Sequence, residues 1–151
     1  MKTFAIGRWV LECDPDATRS IYEASSHGAH VCSCAYCRNF IAVRDEAYPS
    51  EFLELLAALG IDPHKEADIA EFGEEGAGRL YQGWYHFIGR VVEDHEDQMT
   101  LSDSGTVWSV FFSASRSLAL SKFGDEPLVQ LDWSVTLPWV LAEAPESSAG
   151  V

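Results

Sequence analysis

An α+β domain, with a mainly antiparallel β-sheet packed by helices from the N-terminal half, is the fold the sequence predicts. Two patterns carry this expectation: apolar residues recur at helical spacing through the first half, and from Gly78 onward the period drops to two. Size agrees, since a chain of 151 residues, 47% of them hydrophobic, buries about 70% of its unfolded surface and needs no disulfide or metal to hold it. A single domain is expected over 1–143. The Ser/Ala/Gly-rich residues 144–151 read as a flexible C-terminal tail.

Near the N-terminus, Phe4, Ile6 and Val10 alternate with Thr3, Ala5, Trp9 and Leu11, which predicts one strand covered on both faces that joins the sheet. Asp14 followed by Pro15 is an N-cap and first-turn proline, and Ala17, Ile21 and Ala24 continue the spacing, so a helix is expected over about 15–25. Residues 26–30 read as a loop. Ser33 is a plausible cap for a second helix from about Cys34 to Tyr48, with Cys37, Phe40, Ile41, Arg44 and Tyr48 on its inner stripe. Pro49 and Ser50 open a third, whose Phe52, Leu55, Leu56 and Leu59 sit at i, i+3, i+4 and i+7 before the stop at Gly60. Asp62-Pro63 repeats the cap-and-proline signal and predicts a last helix, with Ile69 and Phe72, ending at Gly73.

Beyond Gly78 the strands follow. Leu80 to Val92 places Trp84, His86 and Ile88 on one face and Tyr81, Tyr85, Phe87 and Val91 on the other. Residues 93–97, Glu-Asp-His-Glu-Asp, read as a solvated turn without the ligand spacing of a calcium loop. A short strand over 98–102, a turn at Asp103-Ser104-Gly105 and a strand over 107–113 come next. In the strand expected over Leu128–Leu137, Val129, Leu131, Trp133, Val135 and Leu137 face in and Gln130, Asp132, Ser134 and Thr136 face out, so one face of the sheet is expected to be wet.

The charge excludes whole classes of function. With 24 acidic against 10 basic residues the chain carries −14, which repels phosphate backbones and anionic lipids and argues against nucleic-acid or membrane-surface roles. A basic protein partner suits it. The 18 aromatic residues and the apolar content argue against disorder. Arg8 interrupts the apolar run at the N-terminus, so no signal peptide is read there and a cytoplasmic location is expected. Thiols stay reduced in that compartment, and clustered cysteines there bind metal, do redox chemistry or simply pack.

Cys32-Ser33-Cys34-Ala35-Tyr36-Cys37 places three sulfurs within six residues. At a helix start, Cys34 and Cys37 share one face of the first turn with Cys32 just before it. The helix's positive end and free N–H groups favour thiolate over thiol there. Tetrahedral zinc needs a fourth ligand, for which His30, His27 and Cys13 are the candidates. An iron–sulfur cluster could use the same positions. Alternatively, Cys34 and Cys37 form a redox dithiol, with a histidine such as His86 nearby. Cys37, sharing a stripe with Phe40 and Ile41, also fits plain packing as a small apolar residue.

Elsewhere, His86 reads as a buried, hydrogen-bonded histidine, with a ligand or general-base role as the alternative, and Gly83 and Gly89 as bulges or points of close backbone approach. Arg44, on an apolar stripe, requires a carboxylate partner. No phosphate loop, nucleophile-elbow serine or His-Glu-x-x-His motif is present. Cys32-x-Cys34-x-x-Cys37-Arg38-Asn39-Phe40, Leu59-Gly60-Ile61-Asp62-Pro63 and Gly83-Trp84-Tyr85-His86-Phe87 resemble stretches of small bacterial hypothetical proteins. The resemblance spans most of residues 1–92 and implies no activity. Three readings therefore stand: a zinc-binding protein with a structural or interaction role, an acidic interaction or inhibitor protein of immunity type, and a thiol-dependent redox enzyme.

Overall fold

Gly7 folds the chain back on itself. In the computed structural model, which describes residues 1–94, 98–103, 105–116, 119 and 121–145, the N-terminal strand is two strands, β1 (Lys2–Ile6) and β2 (Trp9–Cys13), paired with Ile6 opposite Trp9. The expected single strand is broken because Gly7 sits at φ +59°, a left-handed conformation that glycine enters without a side-chain clash.

Helix α1 spans Pro15–Ala24, and the Asp14 carboxylate accepts the Ala17 N–H at 3.0 Å, as the capping signal predicts. A single 3-10 turn, Ala29–Val31, leads to α2 (Ala35–Ala47). Here the cap is Cys34 rather than Ser33, and the inner face is rotated from the expected stripe. Phe40, Arg44 and the following Tyr48 are buried, joined by Ala35, Asn39 and Val43, whereas Cys37 and Ile41 are half-buried. Helix α3 (Ser50–Leu59) buries Phe52, Leu56 and Leu59 and ends where Gly60 turns left-handed at φ +82°.

The helix expected before Gly73 does not form. Residues Asp68–Glu75 are instead strand β3, paired with β4 (Gly78–Glu93). Only Ile69 and Phe72 carried the helical spacing, and Phe72 proves 58% exposed. A long neighbouring strand with a free edge outweighs two residues of weak periodicity. Gly73, at φ +101°, lies where the register shifts between Glu71 and Glu74, and Glu71 accepts from Arg79 Nε at 2.8 Å across the pair.

Strands β5 (Met99–Ser102), β6 (Val107–Ser113) and β7 (Leu128–Leu137) follow the expected alternation. Every pairing is antiparallel, in the order β1-β2-β4-β7-β6-β5, with β3 beside the first half of β4. The expected solvated turn at 93–97, the turn residue Ser104 and the expected tail at 144–151 fall partly or wholly outside the described residues: 95–97, 104 and 146–151.

Helices α2 and α3 cover one sheet face through aromatic contacts. Phe40 stacks on Trp133 at 5.3 Å and 11°, and Trp108 meets Phe52 and Tyr48 at 5.0 Å each. Gly83 makes room for this: a Cβ there would lie 2.1 Å from Trp133 Cζ2. The opposite face is half-wet, as expected, except that Gln130 is buried against His86.

Between its pairings with β3 and β2, strand β4 has a stretch of uncovered edge at residues 85–88. Helix α1 closes it with side chains. Tyr22 Oη donates to the His86 carbonyl at 2.8 Å and accepts the His86 N–H at 3.1 Å, while Thr18 Oγ1 accepts the Ile88 N–H at 3.0 Å. Buried backbone groups that would lack a partner strand are thereby satisfied.

Candidate metal centre

The first turn of α2 and the loop before it bring Cys32, Cys34 and Cys37 together, with all three sulfurs within 4.8 Å of one another. The Cys32 and Cys34 sulfurs are 3.4 Å apart. In a tetrahedral zinc-thiolate site the sulfurs lie about 3.8 Å from one another, so three corners are close to assembled. Cys34 occupies the N-cap, a position usually held by an oxygen side chain, and its Sγ accepts the Cys37 N–H at 3.5 Å. Sulfur at this position meets the positive end of the helix.

The thiols differ in environment. Cys32 is exposed, and its pKa is lowered by the Cys34 backbone N–H and by the Cys34 and Cys37 side chains. Burial raises the Cys37 thiol well above the ordinary value, and its two sulfur neighbours add to the shift. A cation between them would remove the conflict, since it favours all three thiolates at once.

The other sequence candidates lie elsewhere. Cys13 is fully buried at the end of β2 opposite Gly89, and burial pushes its thiol pKa up to about 11. His30 is exposed in the 3-10 turn, and His27 uses Nδ1 on the Glu66 carbonyl at 2.8 Å. The group of converging donors contains none of the three. The geometry does not single out Cys34 and Cys37 as a dithiol, because all three sulfurs lie within 4.8 Å of one another and those of Cys32 and Cys34 are 3.4 Å apart. His86 sits in the core, its Nε2 3.0 Å from Gln130 Oε1, with a pKa lowered by burial, and it is not a member of the cysteine group.

Two anchors hold the cluster in place. Glu66, fully buried, accepts from Arg44 Nη1 through Oε1 at 2.9 Å and from the Ala29 N–H through Oε2 at 2.9 Å, tying the loop before Cys32 to the body of α2. This is the carboxylate that Arg44 requires. Asn39 supplies the second: Nδ2 donates to the Pro138 carbonyl at 3.0 Å, and Oδ1 accepts the Val140 N–H at 2.8 Å. Arg38 meets Glu143 at 2.5 Å, and Tyr36 packs edge-on against Trp139. The chain after β7 thus runs along the helical turn that bears Cys37. Asn39 and Glu66 carried no spacing signal, although the demand of a buried Arg44 pointed to some carboxylate.

No protein-family model, curated protein or solved structure matches the chain. Among the described residues, no helix is long and apolar enough to cross a membrane.

Proposed function

We propose that the chain is a small zinc-binding protein in which Cys32, Cys34 and Cys37 hold the ion in a structural or interaction role. The observation that carries this is the convergence of three sulfurs within 4.8 Å at a helix N-terminus. Soft thiolates suit zinc among the common cellular cations. The Cys34 backbone N–H and the neighbouring sulfurs lower the Cys32 pKa, the direction that favours metal ligation, and a reducing cytoplasm would keep all three available. The test is elemental analysis of protein purified without added metal, with thiols titrated before and after chelation. About one zinc per chain and three thiols released by the chelator are expected. Metal-free protein with four freely titrating thiols would overturn the reading.

A second reading is docking of a basic partner on β3. This strand pairs only with β4 among the described residues, and it presents exposed Asp68, Glu74 and Glu75 beside exposed Phe72. Salt-sensitive binding of a lysine-rich peptide, lost in Glu74→Lys/Glu75→Lys, supports it. Binding unaffected by that double variant counts against it.

A further inference from the structure

Three protein sulfurs leave a four-coordinate ion with one ligand to find. Among the described residues, no histidine, carboxylate or fourth cysteine joins the group. Cys13 would have to leave the core and lose its proton from a thiol held at about 11, and neither ring nitrogen of His27 belongs to the group of converging donors. Cys32, the exposed member, puts one side of the cluster at the protein surface, whereas Cys37 lies on the side toward Tyr81 and the helix body. Sites with three protein ligands and an open position hold an exchangeable group there.

Charge selects the donor. A zinc ion with three thiolates carries a net −1, and it would sit in a protein of −14. Arg38, the cation next in sequence to Cys37, is engaged with the Ser33 carbonyl and Glu143. An incoming thiolate would add a second negative charge and must first lose a proton at neutral pH. A neutral nitrogen ligand does neither. We propose, on the basis of the metal-binding reading above, that the centre keeps its fourth position for an imidazole donor from outside the site, either a small molecule or a histidine of another chain.

Cobalt(II) replaces zinc and reports its own coordination through visible ligand-field bands, so the experiment uses the full chain loaded with Co²⁺ alone. Titration with imidazole is expected to shift the bands saturably, and 2-mercaptoethanol at pH 7 to require at least about tenfold more ligand. Bands that imidazole does not move, or that the thiol moves more readily, overturn the proposal. His27→Ala, His30→Ala, His95→Ala and Cys13→Ala are each expected to leave the bands of the imidazole-free protein in place. A changed spectrum in a variant that still binds one Co²⁺ per chain means the chain fills its own fourth position, and this too overturns the proposal. Sedimentation separates the sources: a mass that doubles on metal loading, and returns to monomer when imidazole is added, assigns the donor to a second copy. A monomer throughout, with shifting bands, assigns it to a small ligand. Failure to bind Co²⁺ at all is a different result, since it removes the metal-binding reading itself.

Discussion

Arg44 Nη1 lies 2.9 Å from Glu66 Oε1, with the two side chains 6% and 0% exposed. A pair so deeply buried stabilises little relative to an apolar replacement, yet losing one partner strands a charge. Glu66→Ala is therefore expected to destabilise the protein by about 3–5 kcal/mol. Arg44→Met combined with Glu66→Leu should recover most of that in urea unfolding. The Ala29 N–H stays without its acceptor in the double variant, so metal affinity at the cysteine cluster should remain weakened while global stability returns. Equal recovery of both would show that the pair does not position the cysteine loop.

Gly83→Ala places a methyl group inside the volume of the Trp133 ring. Overpacking of this kind costs about 1–3 kcal/mol, and the backbone of two paired strands has little room to yield. Trp133→Leu alone also destabilises, by emptying the stack with Phe40. The two losses should not add. A double-mutant cycle measured by thermal unfolding checks this, and strict additivity would contradict the contact.

Tyr22→Phe removes the hydroxyl that serves both backbone groups of His86. Two buried peptide groups lose their partner, at a cost of about 1–3 kcal/mol each. Amide exchange at His86 should accelerate more than at residues of β4 paired along both edges. Uniform acceleration along β4 would mean that α1 does not serve as a local substitute for a strand.

Burial holds the His86 pKa below its ordinary value of about 6.5, with Arg116 adding to the depression and Gln130 opposing it. The folded state therefore resists protonation more than the unfolded chain does. The stability this contributes is present above pH ~6.5 and is lost as the pH falls below it. Asp132, which accepts from Gln130 at 2.7 Å, has the opposite sign: burial raises its pKa, so its contribution falls as pH rises through the acidic range. Urea unfolding at pH 7 and pH 5.5 should show His86→Phe losing less stability on acidification than the parent chain. An identical loss in both proteins would assign the acid sensitivity elsewhere.

Cys32→Ser, Cys34→Ser and Cys37→Ser should each reduce zinc affinity by at least tenfold, while Cys13→Ala leaves it unchanged and lowers stability through its core contacts. In the parent chain, free zinc at a hundred times Kd raises unfolding stability by about 2.7 kcal/mol. Calorimetry with and without chelator measures both effects. A Cys13→Ala variant that binds zinc more weakly would place that sulfur in the centre.

Where many residues agreed on one period, the sequence was legible. α3 and β7 each rest on at least four phased positions, and Asp14-Pro15 marked the start of α1 chemically. Two residues, Ile69 and Phe72, could not specify a helix against the open edge of β4. The alternation through Ile6 and Trp9 hid the hairpin, because a two-residue loop preserves the alternation on either side; Gly7 was its only marker. The cysteine array was evident from spacing alone. Its anchors were not: Glu66 lies 22 positions from Arg44, and the Pro138 and Val140 contacts lie 99 and 101 from Asn39, distances over which local pattern carries no information.

Those Asn39 contacts also impose an order in time. A chain emerging from the ribosome presents all three clustered cysteines about a hundred residues before Pro138 and Val140, which secure the turn carrying Cys37. While those residues are being made, the thiols are together in sequence without the contacts to Asn39 that hold the turn. The support for the spacing of the three sulfurs is therefore completed only after β7 and the segment that follows it have docked against α2.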